Sequence, residues 1–569
     1  MAGRDRDDDL STFELQFSAL PAAYKPYSPV DEEGRTALQK LADLEAFPAQ
    51  LLKEAVHILQ ELNHTTMEVN ERVALVSAIF TRCYPVILKV YYHGEHNEAP
   101  LQDKESESML ESSIEIAEET ATAFKHAFVA SYTADKAAFG ERRGRLTEWG
   151  FRILEMIRLE QRLRALRYQK IPNAAWLDAN QVFFSLLLHD QVDDSFKLET
   201  LIGLTQAMRD AEHPEKRESS IRRVYLSIQL FGVLDVISWP AYLFHFPDSY
   251  LEEMEGGLHT EQDSGEKLEP GWLITFLRND GPPLHQRNDA IPAPALRINF
   301  AELFQRTVAE HEALANMLFL NAVDEDKLSP SLAGLDPQDR IPVLEMVLLA
   351  LQRRERRHVR HAVFGTEKLS VSFGFAACYT NLSGFAIPED HKDEKALSYI
   401  EQIQQASIDL AESNPPFHTI PWKLINFSTG GLLVANDSGH LDQPMQVGQL
   451  VSFKPKGKED LPLMGFIGRI QRPIEYQVEI SIIRMAKYAE AALAQDNKDV
   501  HNGNGKPVIL LQDFEGRWQL VALHQYGYLT GTPLKLVRAN GTRILLRLGD
   551  IWLTKRDFTV YEVRSANLK

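Results

Sequence analysis

Residues 353–375 read RRERRHVRHAVFGTEKLSVSFGF, and the fold turns on a change of period inside them. Up to Arg353 the apolar residues recur at helical spacing, with Ile341, Leu344, Val347 and Leu351 on one side of a helix expected over about 336–353. From Leu369 the period drops to two: Leu369, Val371, Phe373 and Phe375 alternate with small or polar residues, as a half-buried strand requires. Five similar runs follow, WKLINF, GLLVA, GQLVSFK, GFIGRIQ and YQVEISII. Six short strands separated by turns predict a small antiparallel barrel.

Working outward toward the C-terminus, KALSYIEQIQQASIDLAE reads as a helix within an insertion at about 386–421. MAKYAEAALA (485–494) reads as a helix closing the barrel unit of 353–494, and the QDNKDVHNGNGKP stretch as a linker. VILLQ, WQLVAL, PLKLV, TRILLRL and FTVYEV predict a small C-terminal β unit over 507–569. Toward the N-terminus, 252–271 is rich in Gly, Pro and acidic residues and reads as a linker. Residues 272–352 form a mixed α/β connecting unit with strands at WLITFL and LRINF and a helix over about 301–320.

Residues 36–251 carry apolar positions at helical spacing, as in Val69, Val73, Val76, Phe80 and Cys83, and predict an α-helical domain of six to nine helices with Cys83 in its core. A run from Leu146 to Leu166 intersperses Arg, Glu and Gln with apolar residues, the pattern of a surface helix. A polar arm, 1–35, precedes the domain. The expected fold class is multidomain α+β: a mostly α-helical N-terminal half, a six-stranded antiparallel barrel and a small C-terminal β unit.

Composition narrows the chemistry. Among 569 residues, 61 Lys and Arg against 80 Asp and Glu give a net charge of −19, which repels polyanions and argues against generic nucleic-acid binding. Two cysteines, Cys83 and Cys378, exclude a disulfide scaffold or a cysteine-rich zinc module. No apolar run approaches the ~18 residues of a membrane span, and MAGRDRDDDLSTFEL places charges where an export signal needs apolar residues, so a cytoplasmic location is expected. Catalytic signatures fail one by one. HEALA (311–315) lacks the second His of a zinc-protease helix, and GNGKP (503–507) has Pro507 where a phosphate loop needs a hydroxyl. Neither the pair His93 and His96 nor His358 and His361 has the partners of a metal site. No enzyme activity, metal or cofactor is expected.

On so acidic a chain any anionic ligand needs a local basic cluster, and RRERRHVRH (353–361) is one, with five arginines and two histidines around a single Glu. Arginine presents a planar fork that binds phosphate oxygens bidentately, pairs with O6 and N7 of guanine, or stacks on a base. About 66 residues later, between strand-like runs, comes NFSTGG (426–431). Asn426 can donate to and accept from a base edge, Ser428 offers a hydroxyl to phosphate or to the turn, and Gly431 permits close backbone approach.

An RxxxR segment leading into a six-stranded barrel that carries (D/N)xSxxG resembles the PilZ domain, a bacterial receptor module for cyclic di-GMP. The resemblance spans roughly 350–495 and extends to long bacterial members with a helical front half. It implies that Arg356 and Arg360 contact phosphate and guanine, that Asn426 reads a guanine edge, that Ser428 makes a polar ligand contact and that Gly431 forms the turn. Arg353 and Arg357 satisfy the same spacing as an alternative register. The implied function is a cyclic di-GMP effector that passes ligand binding to an unidentified protein partner through the helical half. A scaffold whose barrel does not bind nucleotide, and a hydrolase with an unrecognised site, are the alternatives. The insertion departs from the usual pattern and would shield the site or offer a partner surface. The helical half inherits no role from the resemblance.

Overall fold

The computed structural model describes residues 15–96, 104–132, 136–203, 217–254, 259–286, 291–292, 294–319, 323–352, 361–363, 367–384, 394–412, 420–437, 445–455, 462–474, 477–495, 505–538, 540–555 and 557–564. They divide into two units, Met1–Glu355 and Arg356–Lys569.

In the first unit eight α-helices are described between residues 36 and 252: α1 (Ala37–Asp43), α2 (Pro48–Asn63), α3 (Val69–His96), α4 (Lys104–Ser131), α5 (Lys136–Leu166), α6 (Asn173–Leu188), α7 (Ile221–Val233) and α8 (Phe246–Glu252). Local chemistry starts several of them. Thr36 and Gln39 form a reciprocal capping box at α1, Pro48 opens α2, and Ser220 accepts from the Arg223 amide at α7. Cys83 is fully buried in α3, as its spacing predicts.

The charged run 146–166 departs from expectation. It lies within α5, which is central rather than superficial: Arg152, Glu155, Arg158, Glu160, Gln161 and Arg162 are all buried together with the apolar residues between them. Alternating charge signals solvent only when the charges stay unpaired, and here they pair internally. Glu155 accepts from the amides of Glu199 and Thr200, both at 2.7 Å, and from Arg152 at 2.8 Å. Arg162 grips Asp248 of α8 through two nitrogens at 3.0 and 2.6 Å.

The segment read as a linker contains a strand. β1 (His259–Gln262) pairs with β3 (Ala295–Asn299), which also pairs with β2 (Trp272–Phe276), and α9 (Ala301–Phe319) and α10 (Pro337–Leu351) follow. One hydrophobic cluster runs from Leu41 through α5 to the strand residues Leu273 and Ile298 and on to Leu303, Val347 and Leu351, so these elements share the core of the helices. Against the expectation that nothing could span a bilayer, Val69–Gly94 is long and apolar enough by length and composition, with a mean hydropathy of 1.6. Its Val76, Ile79, Phe80, Ile87 and Tyr91 are packed into the same core.

The second unit contains two closed antiparallel barrels. The first comprises β5 (Lys368–Phe373), β6 (Ile420–Ser428), β7 (Gly431–Asn436), β8 (Leu450–Pro455), β9 (Leu463–Ile474) and β10 (Gln477–Arg484), preceded by β4 (His361–Ala362). Its circuit is β5-β6-β7-β10-β9-β8, closing back onto β5, with β4 laid along β6. All six strands expected from the period of two are present. Trp422 is fully buried in the barrel and meets Phe373 edge-on, with ring centroids 5.8 Å apart.

Between β5 and β6 the chain makes two helices, α11 (Phe375–Ser383) and α12 (Glu394–Glu412). The second is the expected insertion helix. The first begins directly after Gly374, whose φ of +87° turns the chain out of β5. Phe375, Cys378, Tyr379, Leu382 and Ile403 pack against Ala489, Ala491, Leu493 and Ile509, so the helix pair joins the two barrels through a common core.

The second barrel runs β11-β12-β13-β16-β15-β14, formed by β11 (Tyr488–Gln495), β12 (Lys506–Gln512), β13 (Trp518–Leu523), β14 (Pro533–Arg538), β15 (Arg543–Thr554) and β16 (Phe558–Arg564). β11 occupies most of the segment expected to be a closing helix. Alanine favours helices, but both faces of this strand are buried. Ala492 and Ala494 point into the second barrel, whereas Ala489, Ala491 and Leu493 face α11, whose Tyr379 hydroxyl donates to the Ala492 carbonyl at 3.2 Å. Small side chains are what a strand needs between two packed surfaces, and tertiary burial overrides propensity.

Candidate functional site

The arginine block that supplies Arg353, Arg356, Arg357 and Arg360 lies outside the described residues. What is described is where its C-terminal end attaches. His361 stands opposite Phe427 and Ala362 opposite Asn426, and the Val363 amide donates to the Ile425 carbonyl at 3.0 Å. The residues that leave the block are therefore hydrogen-bonded along the strand that carries NFSTGG. The rings of His361 and Phe427, both exposed, lie 5.6 Å apart between centroids.

β6 and β7 join through the two-residue turn Thr429–Gly430, with Ser428 opposite Gly431. A bulge at Ile425 shifts the register between Leu424 and Asn426. After it, Asn426 opposes Leu433, Leu433 opposes Ser481 of β10, and Ser481 opposes Arg469 of β9. Residues directly opposite one another share a face. Asn426 and Arg469 therefore end one row across four strands, separated by three strand spacings, about 14 Å.

Each motif residue has a definite local role. The Ser428 hydroxyl donates to the Gly431 carbonyl at 3.3 Å, so of the two uses open to it, the turn is the one made. A Cβ on Gly431 would come within 2.5 Å of the Ile482 carbonyl in β10, so the glycine is required by the neighbouring strand. Asn426 is partly buried, and its side-chain amide makes no hydrogen bond with another described residue. The insertion helices bury their apolar faces in the core between the barrels, so a structural role absorbs them.

Sequence reasoning passed over one residue. Arg484, the last of β10, donates its backbone amide to the Gly430 carbonyl at 3.1 Å and so is tied to the motif turn. Burial lowers the pKa of its guanidinium. A lone arginine ending an Ile-rich strand carries no sequence signal. Only the strand register brings it to the turn. Both cysteines are buried and free, and burial pushes their thiols up to about 12, which leaves them unreactive near neutral pH. No group of three His, Cys, Asp or Glu side chains able to hold a metal occurs among the described residues.

No curated protein and no solved structure matches this chain. Residues 35–250 match the family described as the cyclic-di-GMP receptor FimW, N-terminal domain. The match bears out the resemblance to a cyclic di-GMP receptor family. It falls on the helical half, which inherited no role from that resemblance, and covers α1 to α7 and most of α8. Over residues 35–250 the chain is thus similar to the family of the N-terminal domain of the cyclic-di-GMP receptor FimW.

Proposed function

We propose that this protein is a cyclic di-GMP effector of the PilZ type, acting in the cytoplasm as a receptor and not as a catalyst. The ligand would be held between the arginine block and the outer face of the first barrel at Asn426. The observation that carries this reading is the pairing of His361 with Phe427. Arg360 precedes His361 directly, so its Cα lies one step of about 3.8 Å from a residue hydrogen-bonded to the motif strand. Arg356 is four residues further back, within about 14 Å of Arg360 even on a fully extended chain. That attachment supports a reading in which the forks of the block reach a dinucleotide at Asn426. The receptor family matched by the helical half supports the same ligand from an independent stretch of sequence.

Ligand binding would then order the lead-in and shift the helical half between conformations that a protein partner distinguishes, which requires different ligand affinity in the two states. Calorimetric titration of the full chain with cyclic di-GMP, with GMP and GTP as controls, tests the reading. A bidentate arginine contributes about 1–3 kcal/mol, so Arg356→Ala and Arg360→Ala should each weaken binding by roughly ten- to a hundredfold while the barrel stays folded. If both bind like wild type, Arg353 and Arg357 become the register to test. If wild type does not bind, the chain is a scaffold.

A further inference from the structure

The chain ahead of α1 is seated on the helices. Leu15 and Phe17 pack against the helical core, and Phe17 meets Phe128 edge-on, with ring centroids 6.0 Å apart. Side chains of α6 read the main chain of this segment. The Gln16 amide donates to Gln181 Oε1 at 3.0 Å and the Ser18 amide to Asp178 Oδ1 at 2.7 Å. The Ser18 hydroxyl donates to Asp178 Oδ2 at 2.6 Å, where Lys125 Nζ also donates at 2.8 Å. Asp178 and Gln181 stand three residues apart on α6, and Lys125 and Phe128 three apart on α4, so each helix offers one face to the segment.

The two sides of this contact are built differently. Asp178, Gln181, Lys125 and Phe128 are buried, whereas no residue from 15 to 31 is buried to the same degree. The helices hold desolvated acceptors in place, and the segment brings backbone amides two residues apart, the spacing at which an extended chain presents donors on one side. With 15–18 withdrawn, Gln181 Oε1 would lose its donor and Asp178 would keep only Lys125 among the described residues. Buried acceptors left unmatched are costly, so the site has to be filled by a polypeptide backbone. The segment is also separately anchored: the Tyr24 and Tyr27 amides donate to the His64 and Thr66 carbonyls at 3.0 and 3.1 Å, and that attachment does not draw on α4 or α6.

We propose that the face shared by α4 and α6 is a docking groove for an extended segment of a partner protein, one that carries an aromatic residue followed by Ser or Thr, and that residues 15–18 fill it in cis as a displaceable strap. The seated strap is the template for that occupant. Backbone hydrogen bonds supply the affinity, while Phe128 selects the ring and the Asp178–Lys125 pair the hydroxyl. The proposal does not depend on the cyclic di-GMP reading, because groove and strap both lie in the helical unit.

The test uses the full-length chain and a fluorescein-labelled peptide of residues 12–23, TFELQFSALPAA, read by anisotropy without nucleotide. Ser18→Pro removes the strap's amide donor and hydroxyl together. Because a cis strap competes at an effective concentration of about a millimolar, this variant should bind the peptide roughly tenfold or more tightly than wild type does. In the same background Asp178→Asn, which accepts through one oxygen instead of two, should bind several-fold more weakly. A peptide with Ala in place of Phe17 should bind roughly tenfold more weakly, having lost the ring. Ser18→Pro that binds no peptide, or binds a scrambled peptide equally well, overturns the proposal and leaves the segment a fixed part of the fold. Should Ser18→Pro fail to fold in thermal melts, Phe17→Ala in the chain decides instead: tighter peptide binding than wild type upholds the proposal, and no binding overturns it. Gel filtration distinguishes the other occupant, since a wild-type dimer that Ser18→Pro dissociates would assign the groove to the strap of a second copy and overturn the partner assignment.

Discussion

Arg162 in the helical unit and Arg484 in the barrel unit, the first fully buried and the second half-buried, both have guanidiniums over phenylalanine rings, Phe231 at 4.1 Å and Phe514 at 4.9 Å. They differ in what balances the charge. Arg162 is fully buried, and Asp248 meets it with both oxygens, while Ser227 donates its hydroxyl to the same carboxylate at 2.5 Å. Arg484 has a ring and no carboxylate among the described residues. A closed network marks a residue that builds the fold. An open one, on a half-buried residue, leaves the charge to the ring and to solvent.

The comparison breaks most sharply at Asp248. Removing one member of a buried pair leaves the other uncompensated at a cost of about 3–5 kcal/mol, so Asp248→Ala should lose that much stability in denaturant unfolding. Replacing both partners with apolar residues, Arg162→Met with Asp248→Leu, should cost far less, because neither desolvated charge then remains. Gly203 sharpens the point: with φ at +84° it lets its loop close on Asp248, where any side chain would collide with the carboxylate. A loss below about 1 kcal/mol for Asp248→Ala, a typical surface-pair value, would mean that water already reaches Arg162.

In the barrel the matching substitution is Asn426→Ala, and its effect belongs to the ligand. Asn426 is neutral, so the change removes a base-edge contact and leaves the arginines untouched. Losing a polar contact costs about 1–3 kcal/mol, and the variant should bind cyclic di-GMP and cyclic di-AMP with more similar affinities than wild type. Paired titrations of both ligands measure this. Undiminished preference for the guanine dinucleotide would reduce NFSTGG to a turn, the role in which Ser428 and Gly431 are already engaged.

The strands of the first barrel are legible in the sequence because each buries one face, and the period of two records that directly. β11 is not, because a strand packed on both faces loses the alternation, and its alanines suggest the opposite element. α5 misleads for a related reason: Arg, Glu and Gln read as a solvated face unless their partners are known, and those partners, Asp248 and the Glu199–Thr200 amides, lie tens of residues away. In the site, Asn426, Ser428 and Gly431 are visible as a local string. Arg484 is not, because only the pairing of β7 with β10 brings it to the turn.

The smallest effect expected concerns a third way of handling a desolvated charge, which is to discard it. His126 on α4 has a buried Nε2 without a hydrogen-bond partner, and burial, aided by Arg72, Lys125 and His64 nearby, pushes its pKa from 6.5 down to about 4. The ring therefore stays neutral in the folded chain where the unfolded chain would take up a proton. Its contribution to stability is fully present above about pH 6.5 and is lost as pH falls from 6.5 toward about 4, because the unfolded state binds the proton first. Burial raises the carboxyls of Glu115, Glu119 and Glu199, which pulls the other way: they favour the folded state as pH falls. The diagnostic is accordingly the difference between wild type and His126→Gln, measured by denaturant unfolding at a series of pH values. The wild type should lose ground relative to the variant on acidification through that window, and by less than Asp248→Ala costs, since the ring is only partly buried. Parallel curves would show that the proton enters His126 without opening the helices, and would leave pairing, as at Arg162, and an aromatic face with partial exposure, as at Arg484, as the two solutions in this comparison.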